Sequence, residues 1–288
     1  MRVQTIFIGN EAPFLDEIRS HSNLSHIVCT KIRGKARKYF GSAFDYAKKH
    51  KIVTIEPTEF LSCPSPTDII VVAGYPRLIP PHIIKHPRIG IINIHMSLLP
   101  EYRGRHPLNW AIINGEKYAG ITIHHINEHF DDGNIICQDR IPIKSKDTIM
   151  DIHERAVSKG KLLLRKMFDM IGRKKFLGVS QNSRYATYFP PRTPKGGKID
   201  WNEAAVKIKD LVRALVEPYP GAYFYHRGKK VIVDEVEVVR IPMVDAGIGK
   251  PFLLEGRYIV KTGKGFLKLS KIRNCTKYKI LDNIPITE

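Results

Sequence analysis

Ile69-Ile70-Val71-Val72-Ala73 follows Asp68 as an unbroken apolar run and is closed by Gly74. A strand with one wet face alternates apolar and polar residues. A continuous branched run suits a strand buried on both faces, at the centre of a parallel sheet. Such a strand needs parallel neighbours and covering helices, and the sequence supplies candidates for both. Val3–Ile8, Ile27–Thr30, Ile52–Ile55, Ile91–His95, Ala119–Ile126 and Asn134–Cys137 read as strands. Phe14–His21, Phe40–His50, Pro107–Asn114 and Thr148–Arg173 have helical spacing, and in the last Ile149, Ile152, Ala156, Leu162, Leu163, Met167 and Ile171 recur at helical spacing. This alternation predicts an α/β fold: a Rossmann-like, mostly parallel sheet with helices on both faces.

The pattern changes at Tyr188–Gly197, YFPPRTPKGG, which reads as a linker. Asp200–Val216 is predicted helical, capped by Asp200 or Asn202. The short strands Ala222–His226, Val231–Val239, Tyr258–Lys261 and Phe266–Ile272 then alternate with glycine and lysine turns, as in a small β-barrel. A chain of 288 residues accommodates one large and one small domain. The expected boundaries are 1–187, a linker at 188–199, and 200–288.

The net charge of +19 calls for an anionic partner: a phosphorylated substrate, an anionic cofactor, nucleic acid or a membrane face. Part of it sits in the basic segment Lys31–Lys38, KIRGKARK, either a solvated loop or an anion-binding one. No GxGxxG follows the first strand, so a dinucleotide site is not supported. Cys29, Cys63, Cys137 and Cys275 are scattered without ligand spacing, which fits reduced thiols in a cytoplasmic protein. No signal peptide or membrane span is expected.

The stretch Ile91–Gly133 carries the chemistry. In a strand over Ile91–His95, Asn93 and His95 point to one face. They leave the end of a buried strand together, where open α/β sheets bind ligands. The motif continues as Asn93-x-His95-x-Ser97-Leu98-Leu99-Pro100, Tyr102-Arg103-Gly104, Gly120-Ile121-Thr122 and Asp131-x-Gly133-x-Ile135. This ordered set resembles the folate-dependent formyltransferases, which move a formyl group from N10-formyltetrahydrofolate to an amine. Gly197-Lys198-Ile199-Asp200-Trp201, Leu211-Val212-Arg213-Ala214 and Tyr219-Pro220-Gly221-Ala222 resemble the C-terminal domain of that family, an OB-like barrel. Arg105-His106-Pro107-Leu108-Asn109-Trp110, Asn114-Gly115-Glu116 and Tyr39-Phe40-Gly41-Ser42 are similar to the nucleotide-sugar branch. That branch includes the formyltransferase half of the bifunctional polymyxin-resistance enzymes acting on UDP-4-amino-4-deoxy-L-arabinose. Their dehydrogenase half would have to follow Glu288, so the expectation is a stand-alone nucleotide-sugar N-formyltransferase serving surface polysaccharide or lipid modification.

The resemblance implies site residues. Formyl transfer needs a proton acceptor for the amine, and histidine suits that work near neutral pH. His95 takes this role, Asn93 donates its amide to the oxyanion, and Asp131 orients His95. Asp132 is adjacent and equally acidic, and the family's Asp-x-Gly spacing picks Asp131. The folate is expected against Arg77, Leu78 and Ile79, against Asn127, Glu128, His129 and Phe130, and along Ser97, Leu98, Leu99 and Pro100. Tyr102, Arg103, Arg105 and Trp110 are the expected acceptor-binding residues, arginine being suited to phosphate. No metal is expected: His124 and His125 alternate faces on a strand, and no helix brings His129 to them. The partners implied are folate and a nucleotide-linked amino sugar, with a homodimer common among relatives. Methionyl-tRNA is the second acceptor to consider, favoured by the charge, and a non-catalytic polyanion-binding protein the third reading.

Overall fold

The computed structural model describes residues 2–31, 35–226, 228–242 and 246–273. Within the basic segment, Ile32–Gly34 lie outside the described residues, as does Cys275. The elements run β1 (Gln4–Gly9), α1 (Leu15–His21), β2 (Asn23–Val28), α2 (Lys35–Phe40), α3 (Ala43–His50), β3 (Val53–Ile55), α4 (Pro57–Ser62), β4 (Ile69–Ala73), α5 (Pro81–Ile84) and β5 (Gly90–His95). Then come β6 (Arg103–Gly104), α6 (Pro107–Ile113), β7 (Tyr118–His125), β8 (Ile135–Pro142), α7 (Ile149–Gly172) and β9 (Tyr188–Phe189). The remainder holds α8 (Ala205–Arg213), β10 (Ala222–His226), β11 (Lys229–Val239), β12 (Pro251–Leu254), β13 (Arg257–Lys261) and β14 (Phe266–Arg273).

Two compact units result: Met1–Leu108 with Tyr118–Pro142 and Ile152–Pro191, and Asn109–Lys117 with Ile143–Asp151 and Arg192–Glu288. In the first, seven strands are ordered β3-β2-β1-β4-β5-β7-β8. The five on the β3 side are parallel. Every residue of β4 is buried, as its unbroken apolar run predicts. Its Ile70 and Val72 share a cluster with Ile6, Ile8, Phe60, Ile79, Ile83 and Ile91. Each such side chain contributes roughly 1.5–3 kcal/mol by leaving water.

Several local expectations give way. Strand β7 pairs antiparallel with β5, and the turn 126–134, too short for a helical crossover, returns the chain as β8 antiparallel to β7. The helix expected over Phe40–His50 breaks at Gly41, whose φ of 73° is left-handed, and Ser42 caps a new helix by accepting from the Asp45 N–H at 3.2 Å. The stretch expected as a linker is structured: β9 pairs with β6, and Pro194–Gly197 forms a 3-10 turn. Asp200 caps no helix. Its carboxylate accepts from the backbone and side chain of Asn202, both at 3.0 Å, which holds the segment in a turn and delays α8 to Ala205. The basic segment expected as a loop turns helical from Lys35 in α2, and helices α4 and α5 and strands β6 and β12 are further departures from the expected elements.

In the second unit a five-stranded antiparallel sheet is ordered β10-β11-β14-β13-β12, the strand complement of a small barrel. Helix α8 packs against β11 and β14 through a buried face that includes Ile208 and Val212.

Candidate active site

The carboxyl end of β5 is where the site forms. Asn93 and His95 leave one face of the strand, and antiparallel pairing sets His124 opposite Asn93 and Thr122 opposite His95. Directly opposed residues share a face, so four polar side chains converge. All but the half-buried Asn93 are buried.

Asp131 enters from the turn after β7. Its φ is 53°, a left-handed conformation that aspartate tolerates better than most residues. Gly133 permits the turn, since a Cβ there would lie 1.7 Å from the His125 carbonyl oxygen. Asp131 Oδ1 faces three nitrogens: Asn93 Nδ2 at 3.2 Å, His95 Nδ1 at 3.5 Å and His124 Nε2 at 3.6 Å. Its Oδ2 accepts from the Gly104 N–H at 2.9 Å. Burial would push this carboxyl up, but the charge of His95, the contacts with His124 and the Gly104 N–H win and hold it well below the usual range. Asp131 is therefore an anion at any physiological pH.

His95 Nε2 lies 2.9 Å from the Tyr102 carbonyl oxygen, which can only accept, so Nε2 carries a proton. The nitrogen left to gain or lose one is Nδ1, facing Asp131. Strand β5, the 99–104 loop and the Asp131 turn thus fix the ring and aim one nitrogen at a carboxylate. The arrangement can take a proton from an attacking amine and hold the resulting charge.

The loop is itself braced. Thr122 Oγ1 donates to the Ser97 carbonyl at 2.7 Å and accepts from the Leu99 N–H at 3.3 Å. Gln138 Nε2 donates to the Leu99 carbonyl at 3.0 Å, and Ser97 Oγ to the Glu101 carbonyl at 2.7 Å. Leu99 is buried, while Leu98 and Pro100 are half-buried. Tyr102 adopts φ 59° and stacks on Phe189, with ring centroids 4.6 Å apart.

Arg103 departs from expectation. It is 2% exposed, and its guanidinium is consumed within the protein. It donates to Gln181 Oε1 at 3.2 and 2.7 Å and to the Tyr188 hydroxyl at 2.6 Å, and pairs with Asp132 at 2.5 Å. Gln181 in turn donates to the Asp131 and Gly133 carbonyls, both at 2.8 Å. Arg103 is thus a brace for the Asp131 turn, not a group offered to an acceptor. Asp132 belongs to this brace, and only Asp131 reaches His95.

The other expected residues are placed as follows. Arg77 and Leu78 are exposed after β4, whereas Ile79 is buried in the core and offers only its main chain. Asn127 Oδ1 accepts from the His129 N–H at 3.0 Å and shapes the turn in which Glu128, His129 and Phe130 are exposed. Arg105 is exposed beside β6. Trp110 lies in the second unit, where the Arg192 guanidinium covers its ring at 4.5 Å. Sequence reasoning missed Thr122, Gln138 and Gln181 as braces and weighed His124 only as a metal ligand. Among the described residues no group of three or more His, Cys, Asp or Glu side chains is arranged to hold a metal ion.

Residues 62–167 match the formyl transferase family and residues 192–282 the formyl transferase C-terminal domain. The chain is 34% identical over 225 residues to a methionyl-tRNA formyltransferase of Caldanaerobacter subterraneus subsp. tengcongensis, spanning 76% of this chain and 72% of that protein. The chain belongs to the formyltransferase family. It is also 38% identical over 203 residues to the bifunctional polymyxin resistance protein ArnA of Wigglesworthia glossinidia brevipalpis; the match spans 68% of this chain but only 31% of that protein. Among solved structures, an N-formyltransferase from Helicobacter canadensis in complex with folinic acid and dTDP-3-aminofucose superposes with a TM-score of 0.73 at 20% identity, covering 93% of this chain and 98% of the other. At that identity the likeness speaks for the fold. Among the described residues no helix is long and apolar enough to cross a membrane.

Proposed function

We propose that this chain transfers the formyl group of N10-formyltetrahydrofolate to the amine of a nucleotide-linked amino sugar, a 4-amino-4-deoxy or 4-amino-4,6-dideoxy sugar. The observation that carries the reaction is the convergence of Asn93 and His95 on one anionic oxygen of Asp131. The amine lone pair attacks the formyl carbon, and the carbonyl pair moves to oxygen. His95 Nδ1 takes the proton from the new ammonium, and Asp131 stabilises the imidazolium. The proton passes to N10 of the folate, which leaves with its C–N electron pair as the carbonyl re-forms. Proton transfer of this kind contributes about 10²- to 10⁴-fold. An amide N–H on the oxyanion contributes roughly 10²- to 10³-fold, the role read for Asn93.

The acceptor assignment is supported by the likeness to the polymyxin resistance protein and by the exposed Arg105 two residues beyond the brace. A guanidinium there suits a diphosphate. Exposed Arg77, Leu78 and Phe130 suit the folate. Methionyl-tRNA is the second reading, favoured by the +19 charge and by the match to translation enzymes. Salt dependence separates the two. Affinity for a nucleic acid falls with salt in proportion to the number of phosphates contacted, so an extended tRNA contact is steep and a diphosphate shallow. Competition by UDP, dTDP and GDP at two salt concentrations tests this. A nucleotide that competes with a shallow slope supports the sugar acceptor; no competition, with steep tRNA binding, assigns the translation reading.

A further inference from the structure

His124 is 1% exposed and sits in the site without a part in the step above. Its Nδ1 lies 2.8 Å from the His125 carbonyl oxygen, which fixes a proton on Nδ1 and leaves the lone pair on Nε2 when the ring is neutral. That Nε2 lies 3.2 Å from Asn93 Nδ2, and the same amide nitrogen lies 3.2 Å from Asp131 Oδ1. Turning the amide over would set its oxygen against a carboxylate and an imidazole lone pair. The nitrogen therefore points inward, and each of its two hydrogens already has an acceptor. An oxyanion needs one of them.

We propose that His124 is a positioning residue that governs whether Asn93 has an N–H to give. With Nε2 bare, the ring accepts from Asn93 and keeps the amide closed. With Nε2 protonated, the ring turns donor toward Asp131 Oδ1, 3.6 Å away, and one Asn93 hydrogen is released to the developing oxyanion. The groups facing the ring are Asp131 from the turn, His95 from β5 with its ring edge-on at 6.3 Å, and His125 next along β7. The proposal rests on the formyl-transfer reading and gives Asn93 its timing.

Two variants and one spectroscopic measurement decide it. His124→Gln keeps an acceptor near Nε2 but cannot be protonated, so Asn93 stays closed. His124→Leu removes the acceptor and frees the hydrogen. The expected order of kcat is wild type, then Leu, then Gln. Gln falls on the order of 10²-fold, the cost of an oxyanion donor. KM for both substrates holds within about twofold, because the interaction is made in the transition state. The kcat–pH profile of Gln loses one ionisation. A Gln variant as fast as wild type, or a Leu variant at or below Gln, overturns the switch. Independently of activity, ¹⁵N-histidine spectra of the wild-type protein must show the Nδ1–H tautomer for His124. The Asn93 side-chain amide signals must move as that ring ionises. An Nε2–H tautomer, or amide signals indifferent to the ring, overturns the proposal. If wild type moves no formyl group while the spectra behave as stated, the formyl-transfer reading falls and the His124–Asn93 coupling stands.

Discussion

Replacing Asp131 with Asn keeps the side chain's shape and removes its charge. The carboxylate accepts on both oxygens: Gly104 N–H at 2.9 Å on one, Asn93 Nδ2 at 3.2 Å on the other. An amide must present its NH2 to one of these donors, so one bond to a charged acceptor becomes a donor–donor contact. A bond to a charged group contributes about 1.5–3 kcal/mol, and removing one partner of a buried pair costs about 3–5. At 12% side-chain exposure, solvent recovers little of this. The expected loss is about 3 kcal/mol, or roughly 6–12 °C in Tm for a domain of this size. The pH dependence has a definite sign. The folded carboxyl lies below its ordinary 3.8, so its stabilisation is present above that pH and is lost as pH falls through the folded value. The Tm gap between wild type and Asp131→Asn, followed by circular dichroism, should be full at neutral pH and narrow on acidification below about 4. In kcat the loss of an orienting carboxylate should be on the order of 10²- to 10⁴-fold. A variant equal to wild type in Tm at pH 7, or a gap that widens on acidification, would refute the reasoning.

Further outcomes follow from other parts of the molecule. Arg103→Lys keeps the charge but cannot reproduce the fork onto Gln181 and Tyr188; it should lower stability by about 2–4 kcal/mol in urea denaturation and slow transfer through the Asp131 turn. Wild-type stability in that variant would remove Arg103 from the brace. Gln181→Leu should loosen the same turn, read as faster amide exchange over 131–133 with the rest of the sheet unchanged. Burial pushes the thiols of Cys29 and Cys137 up to about 11, whereas Cys63 is exposed. Alkylation at pH 8 followed by peptide mapping should modify Cys63 in the native protein and the other two only after unfolding.

Much of this was legible in the sequence because it depends on local period. The run at Ile69–Ala73 announced a strand buried on both faces, and alternation set Asn93 and His95 on one face before any coordinate. Asp131 and Asp132 were equivalent by residue type alone, and only the family resemblance, through its Asp-x-Gly spacing, picked Asp131. What escaped depends on long-range register. His124 meets Asn93 because β7 pairs antiparallel with β5 at one alignment, and a shift of one residue would turn it away. Arg103 reads like any exposed arginine. Its burial comes from Gln181 and Tyr188, far along the chain, in a segment that looked like loop and linker. The helix expected from Asp200 starts late, at Ala205, for the opposite reason: a local side-chain bond to Asn202 outcompeted its first turn.

We infer that this site moves a formyl group from folate to an amino sugar. That transfer is tested most directly by giving the protein N10-formyltetrahydrofolate labelled with ¹³C in the formyl carbon, together with a pool of amino-sugar nucleotides and methionyl-tRNA, and following the label by mass spectrometry. Label should reach a sugar nucleotide with wild type and none with His95→Ala. Label on methionyl-tRNA alone, or label on the sugar that survives His95→Ala at an undiminished rate, would contradict it.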